Sequence, residues 1–276
     1  MALSNILITG CSSGIGFCAA QMLHQQGYNI VATVRNSQDA LQLQQLGITT
    51  TLLDLTDSSS IQNTVAFTLE YFDNKIDALF NNAAYGQPGA VEDLSRDVLR
   101  QQFETNVFGT QELTNHIIAQ MRHQGYGKII YNSSVLGFIS MAYRGAYNAS
   151  KYALEGLADT LRLELVGTNI HISLIEPGPI LSQFRANAFA KYQQNIDKEK
   201  SFHKATYLQM EQRLTKQGPA VPFTLPPEAV VKKLQHALES SQPKIRYYVT
   251  FPTYLFATLK RLLPHRWLDW LIIKLS

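Results

Sequence analysis

Tyr147 and Lys151 lie four residues apart in a segment with helical spacing. Residues at this separation share one face of a helix, so the phenol and the ammonium group can project side by side. A phenol with a pKa near ~10 is a poor proton carrier at neutral pH, and a neighbouring cation favours the phenolate. The pair therefore suits proton transfer. Because a core tyrosine and a solvated lysine give the same spacing, the interpretation depends on other motifs.

A glycine-rich turn follows the first apolar run of the chain. Thr9, Gly10, Gly14 and Gly16 stand between a predicted strand at 5–10 and a helical pattern. Glycines let the backbone approach a pyrophosphate, and the N-terminus of a helix offers free N–H groups and a favourable dipole. In this strand-turn-helix context, the motif predicts a dinucleotide-binding site.

Strand and helix patterns alternate along the chain, which predicts an α/β fold. We expect a Rossmann-type, doubly wound parallel sheet of about seven strands with helices on both faces, in one domain spanning 1–276. The predicted strands are 5–10, 28–34, 49–54, 76–80, 128–131, 170–175 and 247–250, and the main helices are 40–46, 57–74, 97–123, 147–166 and 228–240. The weakly patterned segment 180–227 is interpreted as a substrate lid, with a surface elaboration as the alternative.

The composition is that of a globular protein, with 45% hydrophobic residues, 16% charged residues and a net charge of +3. Because this charge is small and no basic block occurs, no nucleic-acid partner is expected. Cys11 and Cys18 are expected to be free thiols. The seven histidines are scattered, so no metal site is predicted. Without a signal-peptide pattern or an apolar run of ~18 residues, a cytoplasmic location is expected.

The motifs occur in a characteristic order. The glycine turn is followed by Asn-Asn-Ala-Ala at 81–84, by Ser134, by the Tyr147–Lys151 pair and by the Pro-Gly dipeptide at 177–178. Together they resemble the short-chain dehydrogenase/reductase family over about residues 4–180. The resemblance is closest to the branch with hydroxysteroid dehydrogenases, retinol dehydrogenases and NADP-dependent aldehyde or ketone reductases. It implies a homodimer or a homotetramer.

The resemblance also implies catalytic roles. Tyr147 would be the general acid in carbonyl reduction and the base in alcohol oxidation, while Lys151 would lower its pKa and bind the nicotinamide ribose. Ser134 would orient and polarise the substrate oxygen, with the adjacent Ser133 as the alternative. Asn106 would hold a proton-relay water, or it is instead a polar residue within a helix that faces neighbouring carbonyls.

The cofactor implied by the resemblance is NADP(H). Val34 stands at the end of the second strand, where NAD-specific members have a carboxylate, and Arg35 follows it. Arg35 fits a 2′-phosphate, although a solvated surface charge is the alternative. Asp54 would accept from the adenine amine, or cap the following helix. The expected cofactor-binding residues are Gly10, Ser12, Ser13, Gly14, Ile15, Gly16, Arg35, Asp54, Leu55, Asn82, Ala83, Tyr147, Lys151, Pro177 and Gly178.

The expected substrate residues are mostly apolar, and they are Phe138, Met141, Tyr143 and Phe184. Arg144 and Arg185 are the only cations placed near them. The sequence therefore predicts NADPH-dependent reduction of a small hydrophobic aldehyde or ketone, with Tyr147 as the acid. The alternatives are an alcohol, retinol or hydroxysteroid dehydrogenase that works mainly oxidatively, and a catalytically idle NADP-binding regulator.

The C-terminal tail, residues 251–276, combines apolar and tryptophan-containing segments with basic residues. Such a composition suits peripheral contact with a membrane interface. Alternatively, the tail packs on the core of its own chain or on a second subunit.

Overall fold

The structure is a computed structural model that describes residues 4–275. Seven strands in this part of the chain form one sheet with parallel pairing throughout and the order β3-β2-β1-β4-β5-β6-β7. The strands are β1 (Asn5–Ile8), β2 (Asn29–Val34), β3 (Thr49–Leu52), β4 (Ala78–Asn81), β5 (Tyr126–Asn132), β6 (Asn169–Glu176) and β7 (Arg246–Tyr248). This topology confirms the predicted fold class.

Helices cover both faces of the sheet. They are α1 (Gly14–Gln25), α2 (Ser37–Gln44), α3 (Ser58–Tyr71), α4 (Arg96–Phe103), α5 (Thr110–Gln124), α6 (Gly145–Glu164), α7 (Phe184–Asn195), α8 (Lys204–Thr215), α9 (Glu228–Glu239), α10 (Phe251–Leu262) and α11 (His265–Leu275). Side chains of a strand alternate between the two faces. Ile6 and Ile8 of β1 accordingly pack with α1, α2 and α9, whereas Leu7 packs with α3, α5 and α6.

The strand order reverses between β1 and β4, and ligands of open α/β sheets bind at such a point, beyond the carboxyl ends of the strands. The glycine turn follows β1, Asn82 follows β4 and Ser134 lies two residues beyond β5. The fold therefore brings the sequence motifs to one edge of the sheet.

The prediction of a single helix at 97–123 is wrong. The chain forms α4, then a π-helical turn over Glu104–Gly109, and then α5. The wider turn accommodates two contacts: Asn106 bonds the backbone of Tyr85, and Gly109 packs so tightly that a Cβ there would lie 1.7 Å from the Leu55 carbonyl oxygen. π-Helical turns are frequent at functional sites, and apolar periodicity does not reveal them.

The segment 180–227 contains α7 and α8, which pack inward through buried aromatic and apolar side chains. Tyr192, Tyr207 and Met210 form one cluster with Ala146 of α6 and Val98 of α4. We call this the lid cluster. It fixes the segment beside the carboxyl edge of the sheet.

The tail forms α10 and α11, and one side of it packs on the core of its own chain. Phe256, Leu268 and Ile272 are buried together with Val135 and Ile139, which follow β5. The packing agrees with one of the two sequence-based alternatives. None of the helices between residues 4 and 275 is long and apolar enough to cross a membrane.

Candidate active site

The glycine turn depends on glycine for steric reasons. A Cβ at Gly16 would lie 2.2 Å from the carbonyl oxygen of Gly10, which is far closer than real contacts. Gly10 and Gly14 have φ angles of +71° and +58°. These values lie in the left-handed region, which glycine adopts without steric cost. The turn therefore places backbone without side chains at the carboxyl edge of the sheet, where a ligand can approach it closely.

The N-terminus of α1 lies directly beyond this turn. Ser13 is the N-cap residue, its side chain makes no capping hydrogen bond, and the first turn of α1 contains no acidic residue. Ser12 is exposed, and Ile15 is half-buried. The exposed N–H groups and the helix dipole at this end favour an anion. These features fit the pyrophosphate of a dinucleotide, so the residues present can hold the cofactor that the sequence implies.

The end of β2 lies beside the same turn. Cys11 N donates to the carbonyl oxygen of Thr33 at 2.8 Å, and Gly10 N donates to its hydroxyl at 3.3 Å. Arg35 follows β2 and is exposed. Across residues 4–275, no hydrogen-bond or ion-pair partner is found for its guanidinium. Its charge therefore stands free next to the expected phosphate-binding turn.

Asn82 connects three strands of the central sheet. Its Nδ2 donates to the carbonyl oxygens of Thr9 at 2.9 Å and Gly10 at 3.1 Å, and its Oδ1 accepts from Asn132 Nδ2 at 2.9 Å. Ala83 N donates to the Thr9 hydroxyl at 2.9 Å. These bonds fix the ends of β1, β4 and β5 relative to one another.

Asp54 does not cap α3, which was one of its two predicted roles. Its Oδ1 accepts from the backbone N and the hydroxyl of Thr56, at 2.9 and 2.8 Å. Asp57 caps the helix instead by accepting from Ser59 N. The Asp54 carboxylate is exposed, whereas the neighbouring Leu55 is buried. Asp54 therefore presents an exposed carboxylate just beyond the end of β3, and its contact with adenine stays a prediction.

The two serines beyond β5 have different partners. Ser133 Oγ donates to Glu155 Oε1 at 2.5 Å. The Ser134 hydroxyl accepts from Leu136 N at 3.1 Å, and it lies close enough to the Tyr147 phenol to act on its pKa in the lowering direction. Ser134, and not the alternative Ser133, therefore faces the tyrosine.

Lys151 is buried beside Tyr147. Its Nζ donates to the carbonyl oxygen of Asn132 at 2.7 Å and lies 5.7 Å from the centroid of the Tyr147 ring. Burial lowers the pKa of the Lys151 ammonium to about 8, and the nearby Glu155 carboxylate opposes this change. The lysine thus loses its proton much more readily than a solvated lysine does.

The pKa of Tyr147 moves in the direction opposite to the one expected from sequence. Burial raises the pKa of its phenol to about 12, while the hydrogen bond from Ser134 and the charge of Arg144 act in the lowering direction. Desolvation of the phenolate therefore outweighs the charge of Arg144. Tyr147 is consequently protonated throughout the neutral range.

Asn106 uses its side chain to fix the loop beyond β4. Its Oδ1 accepts from Tyr85 N at 3.1 Å, and its Nδ2 donates to the Tyr85 carbonyl oxygen at 2.9 Å and to Ser150 Oγ at 3.1 Å. Ser150 Oγ in turn donates to the carbonyl oxygen of Tyr147 at 2.9 Å. The side chain thus faces neighbouring carbonyls and hydroxyls, and any relay role would come from positioning the residues beside Lys151.

Three of the four expected substrate residues lie at Tyr147. The Phe184 ring stands edge-on to the Tyr147 ring, with centroids 5.3 Å apart. Phe138 and Met141 pack in the same cluster as Tyr147. Tyr143 packs in the lid cluster instead. The wall of the site next to the tyrosine is therefore largely apolar.

Pro177 and Gly178 close the same wall. The carbonyl oxygen of Pro177 accepts from Val135 N at 2.8 Å. A Cβ at Gly178 would lie 2.1 Å from Thr250 Oγ1, so glycine is required for this contact. The turn beyond β6 is therefore fixed between the turn beyond β5 and the start of α10.

A buried ionic cluster behind the site is absent from the sequence-based expectations. Arg246 Nη2 donates to Glu155 Oε2 at 3.0 Å and to Asp159 Oδ2 at 2.7 Å, and its Nε lies 2.9 Å from Glu176 Oε1. Burial raises the pKa of the fully buried Glu176 to about 8; the charge of Glu155 acts in the same direction, and Arg246 opposes both. We call these four residues the Arg246 cluster. Glu155 lies one helical turn beyond Lys151, which is the only sequence signal for it.

The comparisons with known proteins agree with this geometry. A family model described as short chain dehydrogenase matches residues 4–193. The chain is 41% identical over 265 residues to the uncharacterized oxidoreductase YbbO of Escherichia coli (strain K12), which covers 96% of this chain and 92% of that protein. It is 30% identical over 265 residues to human 17-beta-hydroxysteroid dehydrogenase type 1, which covers 91% of this chain and 78% of that protein.

A solved structure agrees in fold. The short-chain dehydrogenase/reductase from Burkholderia phymatum in complex with NAD has a TM-score of 0.77 at 23% identity, over 94% of this chain and 92% of that chain. In the described part of the chain, no three His, Cys, Asp or Glu side chains are grouped as metal ligands. On the family match and the identity to YbbO, the chain belongs to the short-chain dehydrogenase/reductase family, whose members are oxidoreductases.

Proposed function

We propose that this oxidoreductase uses NADPH to reduce an apolar aldehyde or ketone to an alcohol. The observation that carries the proposal is that Ser134 and buried Lys151 both stand beside Tyr147, with Lys151 Nζ 5.7 Å from the centroid of the tyrosine ring. These groups stand at the carboxyl edge of the sheet, as the glycine turn does. A carbonyl oxygen at Tyr147 would meet two hydroxyl donors next to a largely apolar wall.

Each side chain has a definable part in this reaction. NADPH, when bound, supplies the hydride for the carbonyl carbon. Tyr147 donates its proton to the carbonyl oxygen, and Ser134 orients that oxygen through a second hydrogen bond. Lys151 provides a positive charge near the oxygen that gains electron density.

Tyr147 in its protonated form is the proton donor that reduction requires. The phenol is the form present below a pKa of about 12. Oxidation of an alcohol uses the same residue in the opposite sense, with the phenolate as base. The oxidative dehydrogenase is therefore the second candidate, and the ratio of reduced to oxidised cofactor decides the direction.

The proposal of NADPH over NADH rests on Arg35. It lies unpartnered among the described residues and follows Val34, so no carboxylate of the kind that binds a ribose 2′-hydroxyl stands at the end of β2. A guanidinium pairs with a 2′-phosphate through charge-assisted hydrogen bonds. The similar Burkholderia structure carries NAD, so the choice has to be tested directly.

The test is a fluorescence titration of the protein with NADPH and with NADH. We expect tighter binding of NADPH, and Arg35→Ala should weaken it by about tenfold or more while NADH binding stays nearly constant. Arg122→Ala, at the far end of α5, is the matched control. Equal binding of both cofactors that Arg35→Ala leaves unchanged would contradict the NADP assignment.

Turnover is tested with apolar aldehydes and Tyr147→Phe. Loss of general acid catalysis should lower kcat by about 10²- to 10⁴-fold without loss of NADPH affinity. Full activity of Tyr147→Phe would show that Tyr147 is not the general acid. NADPH binding by the wild type without turnover of any carbonyl compound would favour the idle regulator.

We further propose a homodimer or homotetramer that forms through the long helices. Exposed apolar side chains on and beside α5 and α6 support this arrangement, and they are Phe108, Tyr152, Leu157 and Leu163. Sedimentation equilibrium should give a mass of two or four chains. A monomer at micromolar concentration would contradict the proposal.

Peripheral contact with a membrane is proposed for the outer face of α11. Trp267, Trp270 and Ile273 are 68%, 58% and 76% exposed on this helix, next to Arg266 and Lys274. Tryptophan and basic residues together suit the headgroup region. Wild type should sediment with phosphatidylcholine–phosphatidylglycerol vesicles, and Trp267→Ser should reduce this, whereas the equally exposed Val166→Ser should not. Absence of wild-type binding would contradict the contact.

A further inference from the structure

Three arginines come from the elements that form the lid cluster. Arg144 lies just before α6, Arg185 lies in the first turn of α7, and Arg213 lies in the last turn of α8. These three helices pack together in that cluster. We call Arg144, Arg185 and Arg213 the lid arginines. Arg144 lies close enough to Tyr147 for its charge to act on the phenol.

The lid arginines are only partly satisfied by the protein. Arg185 Nη2 donates to the carbonyl oxygens of Lys216 at 2.8 Å and Gly218 at 2.7 Å, which fixes it at the end of α8. Its Nη1 is buried without a hydrogen-bond partner. Arg144 Nη1 donates to the sulfur of Met141 at 3.1 Å, and it makes no ion pair with residues 4–275. The Arg213 guanidinium makes no hydrogen bond or ion pair with any residue from 4 to 275.

The three charges act on one another. Burial and, to a smaller extent, the charge of Arg213 lower the pKa of Arg144 to about 9. Burial also lowers the pKa of Arg213, as does the charge of Arg185. Like charges in a half-buried setting repel, so this arrangement destabilises the protein unless a negative charge joins it.

Carboxylates in the lid segment and beside it are paired with other residues. Glu211 pairs with Lys198 at 2.8 Å. Asp93 accepts from Ser201 and from Tyr207. A cation in the last turn of a helix gains from the helix dipole. This accounts for a cation at Arg213, but not for the two further arginines beside it.

We propose that the lid arginines bind an oxyanion group of the substrate, a carboxylate or a phosphate, while its carbonyl group lies at Tyr147. The inference rests on the proposed function, because it names the substrate class of the same site. Guanidinium groups bind carboxylate and phosphate oxygens in pairs of parallel hydrogen bonds. Phe138, Met141 and Phe184 provide apolar contacts near the carbonyl. The substrate is thus an apolar aldehyde or ketone with one anionic end.

The experiment compares ω-oxododecanoate with its methyl ester, which is the same aldehyde without the charge, and with the corresponding ω-oxo alkyl phosphate. Wild type should show a kcat/KM for an anionic aldehyde about tenfold or more above that for the ester. Arg213→Gln should remove most of this ratio, and Arg213→Lys should retain part of it. The control Arg122→Gln makes the same charge change on exposed surface and should leave the ratio unchanged.

The inference would be overturned if wild type had equal kcat/KM for the anionic aldehydes and for the methyl ester. It would also be overturned if Arg213→Gln kept the wild-type ratio of kcat/KM between an anionic aldehyde and the ester. A larger ratio for the phosphate than for the carboxylate would identify the headgroup. The unfolding midpoint of each variant shows whether it is folded, and Arg144→Gln provides a second variant that should lower the ratio if Arg213→Gln does not fold.

Binding separates failure of the inference from failure of the proposed function. Dodecanoate or dodecyl phosphate should raise the unfolding midpoint of wild type with NADPH present, and this shift should be lost in Arg213→Gln. If no aldehyde is reduced but this shift is found, the reductase proposal fails and the anion site stands. If aldehydes are reduced without the shift and without an acid preference, the anion site fails alone.

Discussion

The Arg246 cluster and the lid arginines differ in what surrounds the positive charge. Arg246 contacts three carboxylates, those of Glu155, Asp159 and Glu176. The lid arginines contact backbone carbonyls and a thioether but no carboxylate among the described residues. A charge that the chain satisfies itself serves the fold, whereas a charge that the chain leaves unsatisfied at a site is available to a ligand.

The largest expected effect is a loss of stability when the Arg246 cluster loses its arginine. Arg246→Met would leave buried carboxylates without their cation, which is strongly destabilising. We expect the free energy of unfolding in urea to fall by roughly 3 kcal/mol. Arg122→Met on exposed surface is the control. A loss equal to that of the control would show that the cluster contributes little to the fold.

The second effect is a pH dependence of stability. The Glu176 pKa is about 8 in the folded state against an ordinary value of 4.5. The folded state therefore binds more protons than the unfolded state within this window, and the free energy of unfolding falls as pH rises through it. Glu176→Gln should flatten this slope, and Glu70→Gln should not. Urea unfolding at both ends of the window measures the difference, and an unchanged slope in Glu176→Gln would assign the titration to another group.

The third effect links the lid arginines to the chemistry. The Arg144 charge lowers the pKa of Tyr147. Arg144→Met should therefore raise that pKa, which makes the phenolate scarcer, so kcat/KM for oxidation of an uncharged alcohol at neutral pH should fall. Steady-state kinetics at neutral pH, where Arg144 carries its charge, measure the change, with Arg122→Met as control. An unchanged kcat/KM would show that the charge of Arg144 does not act on Tyr147.

The smallest expected effect sharpens the contrast between the clusters. Arg213→Met removes a charge that has no carboxylate partner in the described structure and a like-charged neighbour. Because the repulsion is relieved, its free energy of unfolding should equal that of wild type or exceed it by up to about 0.5 kcal/mol. If Arg213→Met lost as much free energy of unfolding as Arg246→Met, Arg213 would be a structural residue. The contrast between the lid arginines and the Arg246 cluster would then be wrong.

The sequence was sufficient for the parallel sheet and for the motifs at its carboxyl edge. Strand burial and glycine spacing are local properties, so they appear directly in the order of residues. The choice between Ser133 and Ser134 depends on the register of the chain beyond β5, which sequence left open. The π-helical turn at Asn106 comes from contacts with Tyr85 and Leu55, which lie far away in sequence.

The features that sequence missed all depend on long-range packing. Arg213 reaches the site because α8 packs on α4 and α6 through the lid cluster. Arg246 meets Glu155 and Glu176 because β7 pairs with β6 beside α6. The Tyr147 pKa was expected to fall because the neighbouring cation was visible in the sequence, whereas the burial that raises it was not.

The packing of α11 has a practical consequence for handling the protein. Leu268 and Ile272 of α11 pack in one apolar cluster with Ile139, and Phe138 and Met141 belong to the same cluster. An affinity tag or an immobilisation linker fused after α11 would therefore disturb the packing beside Phe138 and Met141. Attachment ahead of β1, at the amino edge of the sheet, keeps such a load at the opposite end of the molecule from the chemistry.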